Sequence, residues 1–507
     1  MDLGRAMGGR FLAHNTVLNV VGQGLPLIVG IAAMPFVTRG LGPARFGVLA
    51  LAWALLGYMT IFDLGLGRAS TKFVAEAVGR GDDQRIGSIA WTTVVAQAGL
   101  GVIGGLVLFG MTPLLVEHLL SIPEDLLKEA RLSFYVLALS VPALLISGSL
   151  RGVLEAAQRF DLVNVVRAPL NSANFLLPLL GVFLGWHLPG LVALLIASGW
   201  LAVVVQYLLC RHLFPSFRGL PRFHGPELRR LTRYGGWLTL SSVVSPILVY
   251  LDRFMLGIFV SMAAVAYYAA PYEMVTRLLI VAAGLAATLF PAFSILGEQR
   301  NQTALEALVA RSVKYLLLLV GPAVILVAVF AGDILRVWLG SDFAVESTPA
   351  VQILAVGVLL NSLALVPYSL IQALGRPDLT AKLHLAELPL HVVLVWVLVS
   401  RWGVPGAALA WTVRVFVDTV LLFVVAWRFS WLSPSSLLAH KVPHTAGVLV
   451  LLACSALSIP VLVPGTWLRL LTVAIAFVLI GVAAWRYLLD PRDRTQIVAV
   501  LRAARTE

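Results

Sequence analysis

The sequence predicts an all-α integral membrane protein of about 14 transmembrane helices, by the length of apolar run a span requires. It predicts two six-helix lobes related by a parallel pseudo-repeat around a central cavity, plus a C-terminal helix pair. Three observations carry this. The 507 residues are 60% hydrophobic and 12% charged, with mean hydropathy +0.93, more apolar surface than a water-soluble fold can bury. Apolar runs of about 20 residues, enough to cross a bilayer, recur along the chain. A block of the first half returns in the second at a constant offset of 217 residues.

The expected spans are 15–37, 46–66, 87–112, 132–150, 162–184, 188–210, 234–257, 262–289, 313–332, 350–373, 380–400, 404–427, 443–463 and 468–488, with a split at 262–296 as an alternative. Met1–His14 carries Arg5 and Arg10 ahead of a full-length apolar run, so the first span is expected to act as targeting signal and stay in the protein. With the N-terminus inside, the short inner segments hold 27 of the 37 Lys and Arg residues and the outer ones 8. That bias predicts both termini in the cytoplasm. It also accounts for the net charge of +12 and excludes nucleic acid as a partner, because the basic residues are spread over many loops. Cys210 and Cys454 sit far apart in or beside apolar runs and are expected to be free thiols.

The repeat pairs Leu137–Leu162 with Leu354–Leu379, placing Arg159, Asp161 and Leu162 on Arg376, Asp378 and Leu379. Trp186–Gly190 matches Trp402–Gly406 after a one-residue gap. The offset contains six spans, an even number, so the copies share one orientation and their axis lies along the membrane normal. The predicted organisation is an N-lobe over 1–210, a basic linker over 211–233, a C-lobe over 234–428, and extra helices with a basic tail over 429–507. Two such lobes around one axis predict a central cavity opened to each side in turn, the plan of many transporters.

A cavity requires polar residues on single helix faces, and several spans carry them. The first has Asn15, Asn19 and Gln23; the fifth Asn164, Arg167, Asn171 and Asn174; the tenth Asn361, Tyr368 and Gln372. The eleventh has His384, Glu387 and His391, and the twelfth Trp411, Arg414 and Asp418. The competing reading of each stripe is interhelical hydrogen bonding that only holds the bundle together. Four-residue spacing lets Glu273 pair with Arg277 and Arg414 with Asp418. Asp63, His384, Glu387 and His391 have no obvious local partner. With Glu273 and Asp418 they form the candidate set for coupling to a proton or ion. The cavity candidates for cargo are Asn19, Gln23, Arg167, Asn171, Asn174, Arg253, Arg277, Asn361, Tyr368 and Arg414, whose guanidinium groups suit an anionic or pyrophosphate-bearing cargo. Asp252 and Arg253 are expected at the outer end of the seventh span, one facing the cavity, with Arg253 meeting cargo phosphate or a gate carboxylate. No nucleophile motif, phosphate-binding glycine loop or metal cluster appears, so no catalytic residue, cofactor or metal is expected.

Thr38–Glu76 resembles the start of bacterial polysaccharide exporters, with Leu41, Gly42, Phe46 and Gly47 in a Leu-Gly…Phe-Gly turn and Asp63–Leu66 as the Asp-Leu-Gly-Leu ending. "LDRFMLG…VAYYAAPYEMV" and "LFPAFSIL" resemble that family's second-half motifs. The chain is thus similar to O-antigen and exopolysaccharide flippases of the Wzx type, in the multidrug/oligosaccharidyl-lipid/polysaccharide exporter superfamily. The resemblance implies a non-enzymatic flippase in the bacterial inner membrane that moves undecaprenyl-pyrophosphate-linked oligosaccharides, with ion coupling and alternating access. The lipid-linked oligosaccharide, membrane lipids and the polysaccharide polymerase and export machinery are the implied partners. Three alternatives stand beside it. Fourteen spans also fit a lipid II-type flippase. A multidrug or cation antiporter would favour carboxylates over the basic residues seen, and a membrane glycosyltransferase or ligase would need a larger outer loop.

Overall fold

The computed structural model describes residues 9–219, 222–429 and 432–462, with scattered positions between 468 and 486. Most of the expected span 468–488 therefore lies outside the described residues, as do the side chains of Asn15, Asn19 and Gln23. Among the described residues the regular structure is entirely helical, and nine helices are long and apolar enough to cross a membrane.

The first helix, α1 (Gly9–Met59), joins the first two expected spans across a kink at Gly42, where φ 75° and ψ 163° exclude a side-chain-bearing residue. Phe46 is buried edge-on to Trp53, and a Cβ on Gly47 would lie 1.8 Å from the Met262 carbonyl oxygen. The Leu-Gly…Phe-Gly turn is thus a backbone reversal, a packing anchor and a close approach in sequence. A 3-10 turn over Thr60–Asp63 then ends α1. Leu64 and Gly65 take positive φ, and the chain restarts as α2 (Leu66–Arg80). Next come α3 (Asp83–Pro113), α4 (Leu127–Ala138), α5 (Ser140–Ala156), α6 (Phe160–Phe183) and α7 (Leu188–Leu213).

The expected span 132–150 is two helices, broken at Leu139. Pro142 has no N–H for the Ala138 carbonyl, so the ladder is interrupted there. Gly105 of α3 packs against that carbonyl, where a Cβ would stand 2.8 Å away. After the linker comes α8 (Gly225–Phe259). The expected span 262–289 is also two helices, α9 (Met262–Thr276) and α10 (Leu279–Glu298). Three-residue hydrogen bonds from Leu278 to Val275 and from Ile280 to Arg277 tighten the chain between them. The rest is α11 (Gln302–Val329), α12 (Ala331–Trp338), α13 (Ser341–Ala373), α14 (Pro377–Arg428), α15 (Pro434–Ala439) and α16 (Val442–Leu462). The long α14 merges two spans across an elbow at Gly403, φ 55° and ψ −125°.

Two pairs of turns have the same local geometry. Residues 156–160 and 373–377 each end one helix and start the next, with positive φ at Gln158 (59°) and Gly375 (75°). In both, an arginine grips the aspartate two residues on with a forked contact: Arg159 Nη2 to Asp161 Oδ2 is 2.7 Å, Arg376 Nη2 to Asp378 Oδ2 is 3.2 Å. The turns at Gly81 (φ 69°) and Arg300 (φ 53°) are each followed by a capping side chain, Asp82 to the N–H of Arg85 and Asn301 to that of Ala304.

The described chain forms two compact units, residues 1–270 with 395–407, and residues 271–394 with 408–507. The first has its core where α2, α3, α5 and α7 meet, around Phe73, Ile89, Trp91, Val153 and Cys210. The linker closes this core: Phe217 is fully buried against Trp91, and Ser216 donates to Asp83 from both its N–H and its hydroxyl. In the second, α13 packs against α10, α11 and α12, and α11 also packs against α16.

Candidate functional site

His384, Glu387 and His391 of the second unit lie on one arm of α14, and Arg414 and Asp418 on the other. At the elbow, Gly406 approaches the Leu398 carbonyl so closely that a Cβ would stand 2.0 Å from it. That contact turns the arms back alongside each other. His384 Nε2 lies 3.7 Å from Asp418 Oδ1, and Arg414 Nη1 lies 4.0 Å from Glu387 Oε2. The Tyr368 ring of α13 stacks on the His384 ring, with centroids 6.4 Å apart and planes 13° apart. His391 is 1% exposed, and Glu387 3%. Among the described residues, neither ring nitrogen of His391 and neither carboxylate oxygen of Glu387 has a hydrogen-bond partner.

This corrects one sequence-based expectation. Arg414 does not pair with Asp418 along its own helix; it faces Glu387 on the other arm. His384 and Glu387, which have no local partner in sequence, find theirs on the antiparallel arm, which no local spacing reveals. The order of charges explains the Arg414 pairing. An acid one turn N-terminal to a base is the favourable order in a helix, the reverse the weaker one. Glu273 precedes Arg277, and they pair at 3.0 Å. Arg414 precedes Asp418, and the cross-arm partners prevail.

Asp63 also has partners. Its Oδ1 accepts from Gln97 Nε2 at 2.5 Å and from the N–H of Gly67 at 3.1 Å, capping the first turn of α2. The Asp-Leu-Gly-Leu motif is thus the chain break that starts α2.

Asp252 and Arg253 are buried at 2% and 3% exposure, where one was expected to face a cavity. The Tyr268 hydroxyl donates to Asp252 Oδ2, and the Arg253 guanidinium lies 5.4 Å from the centre of the Tyr250 ring. The physical reason is cover. Tyr250 and Phe254 of α8 pack against Tyr58 of α1, and Ser121 donates from its N–H and its hydroxyl to the carbonyls of Gly257 and Ile258.

In the first unit Arg167 is exposed on α6, and Asn171 and Asn174 are half-buried on the same helix. In the second unit Asn361 is half-buried on α13. Within the second unit the structure therefore brings together Tyr368, His384, Glu387, His391, Arg414 and Asp418. Sequence reasoning missed Gln97, Tyr268 and Lys314. The last was placed at a span edge, but α11 begins at Gln302 and Lys314 is fully buried. An expected span ending in an acid with no local base was the available signal for a distant partner such as Gln97.

The polysaccharide biosynthesis protein family matches the chain over residues 12–296, more than half its length. The chain belongs to this family. As a member, it is 30% identical over 412 residues to a putative O-antigen transporter of Shigella flexneri, covering 81% of this chain and 96% of that one. A probable low-salt glycan biosynthesis flippase of Haloferax volcanii is 26% identical over 434 residues, 83% of each chain. Among solved structures, the inward closed conformation of the lipid II flippase MurJ superposes with TM-score 0.74 over 94% of this chain and 100% of that one, at 12% identity. The inward-facing conformation of a multidrug resistance MATE family transporter gives TM-score 0.70 over 81% and 98%, at 16% identity. The family member described here is thus a multi-pass membrane protein with the fold of those transporters, and the two relatives above are named as a transporter and a flippase, not as enzymes.

Proposed function

We propose that this protein flips undecaprenyl-pyrophosphate-linked oligosaccharide units across the bacterial inner membrane, for O-antigen or exopolysaccharide assembly. The observation that carries the reading is the likeness to the putative O-antigen transporter of Shigella flexneri, 30% identity over 81% of this chain and 96% of that one. Guanidinium groups in the spans support it, because arginine keeps its charge and grips phosphate oxygens with two N–H groups. Arg167, exposed on α6 one turn from Asn171, is the first contact proposed for the pyrophosphate, with Asn171 and Asn174 for sugar hydroxyls. Asn19, Gln23, Arg277, Asn361, Tyr368 and Arg414 complete the proposed cargo-facing set.

In this reading the halves 1–210 and 234–428, joined by the linker 211–233, are copies that alternate access, with 429–507 as an added helix pair and tail. The matched turns at 156–160 and 373–377 support the repeat. Both termini are cytoplasmic, the cycle is ion-coupled, and a polysaccharide polymerase receives the flipped unit. The test is depletion of the protein in cells. Lipid-linked oligosaccharide should then accumulate on the cytoplasmic leaflet, and unchanged delivery to the outer leaflet would refute the reading.

A further inference from the structure

The group on the arms of α14 contains two carboxylates, Glu387 and Asp418, one guanidinium, Arg414, and two imidazoles, His384 and His391. With the imidazoles neutral, one negative charge is in excess. That excess sits with Glu387 at 3%, Asp418 at 8% and His391 at 1% exposure. An uncompensated charge so far from water is costly, and one added proton makes the site neutral. The proton has places to go: both oxygens of Glu387 and Asp418 Oδ1 hold no hydrogen bond among the described residues.

The charged and titratable groups bearing on the site come from both arms and from α13. Arg414 and Asp418 act on Glu387 and His384, Arg414 acts on His391, and Tyr368 covers His384. A metal ion fits this set poorly. Hard cations collect a shell of several oxygen ligands. Here the carboxylates are accompanied by a guanidinium 4.0 Å from Glu387, and no set of His, Cys, Asp and Glu disposed to hold a metal occurs among the described residues.

We propose that Glu387 and Asp418 form a proton-binding site, with Arg414 fixing the site to hold one proton at a time. The proton comes from a hydronium ion, adds to the carboxylate pair, and returns to water as hydronium; nothing is oxidised or reduced. His384, stacked on Tyr368 and facing Asp418, lies at the more exposed edge of the group and is the relay toward water, its side chain 35% exposed against 12% for Asp418. The inference rests on the reading of the chain as an ion-coupled flippase and names the ion.

The test is infrared spectroscopy of the full-length purified protein in lipid nanodiscs, titrated from acid to alkaline pH in potassium chloride and again in sodium chloride. The readout is the carbonyl stretch of a buried protonated carboxylic acid. Wild type should show this band rising as pH falls, unchanged when sodium replaces potassium. E387Q should lose it, D418N should shift its midpoint, and the surface variant E155Q should keep it. The wild-type and D418N titrations decide the matter even where E387Q does not yield folded protein. A wild type without the band, variants with the wild-type band and midpoint, or suppression of the band by sodium would overturn the proposal. Because the readout needs no cargo, its failure is distinct from failure of the flippase reading, which the depletion experiment tests separately.

Discussion

Arg414 is the only guanidinium placed against the buried carboxylates on the arms of α14 among the described residues, and its side chain is 13% exposed beside a Glu387 at 2%. Removing one member of a buried ion pair leaves the other charge without compensation, which costs about 3–5 kcal/mol. Arg414→Ala should therefore lower the thermal unfolding temperature of the purified protein markedly, and Arg414→Ala with Glu387→Gln should recover much of the loss. Additive losses in the two variants would contradict the pairing. A second expectation concerns Asp252. Tyr268 is fully buried and donates its hydroxyl to that carboxylate. A hydrogen bond to a charged group is worth about 1.5–3 kcal/mol, so Tyr268→Phe should destabilise by that order with little change in packing. A thermal unfolding temperature equal to wild type would show the contact to be dispensable.

At the scale of elements, glycines and caps decide where helices turn. Gly47 meets the Met262 carbonyl, and both atoms belong to backbone, so neither yields easily. Gly47→Val should cost at least about 1–3 kcal/mol, as overpacking does, and should reduce the yield of monodisperse protein. Asp63→Ala should cost about 0.5–2 kcal/mol through loss of the α2 cap, while Asp63→Asn, which keeps an acceptor, should lie near wild type in the same unfolding assay.

The turns were legible in sequence for a local reason: Gly42, Gly375 and the Arg159–Asp161 and Arg376–Asp378 forks act within a few residues. The break at Leu139 was not, because hydropathy is blind to interrupted hydrogen bonding inside an apolar run; the length of the 262–296 run left a split open without placing it between Thr276 and Leu279. Spacing foresaw the Glu273–Arg277 pair but not the cross-arm contacts of His384 and Glu387, since those depend on how far α14 folds back at Gly403. The burial of Asp252 and Arg253 depends on cover by α1 and Ser121, far away in sequence, and only the folded chain reveals it.

For the whole molecule, composition and span length sufficed for the class, an all-helical multi-pass membrane protein; likeness to the MurJ and MATE structures shows the fold. The direction and nature of its transport are the central claim. The decisive measurement is the leaflet distribution of lipid-linked oligosaccharide in cells depleted of the protein, read with an impermeant sugar-labelling reagent. The account predicts that labelled precursor at the outer leaflet falls severalfold while total precursor rises, and that expression of the wild-type chain restores it. Outer-leaflet labelling that persists at the undepleted level would contradict the account.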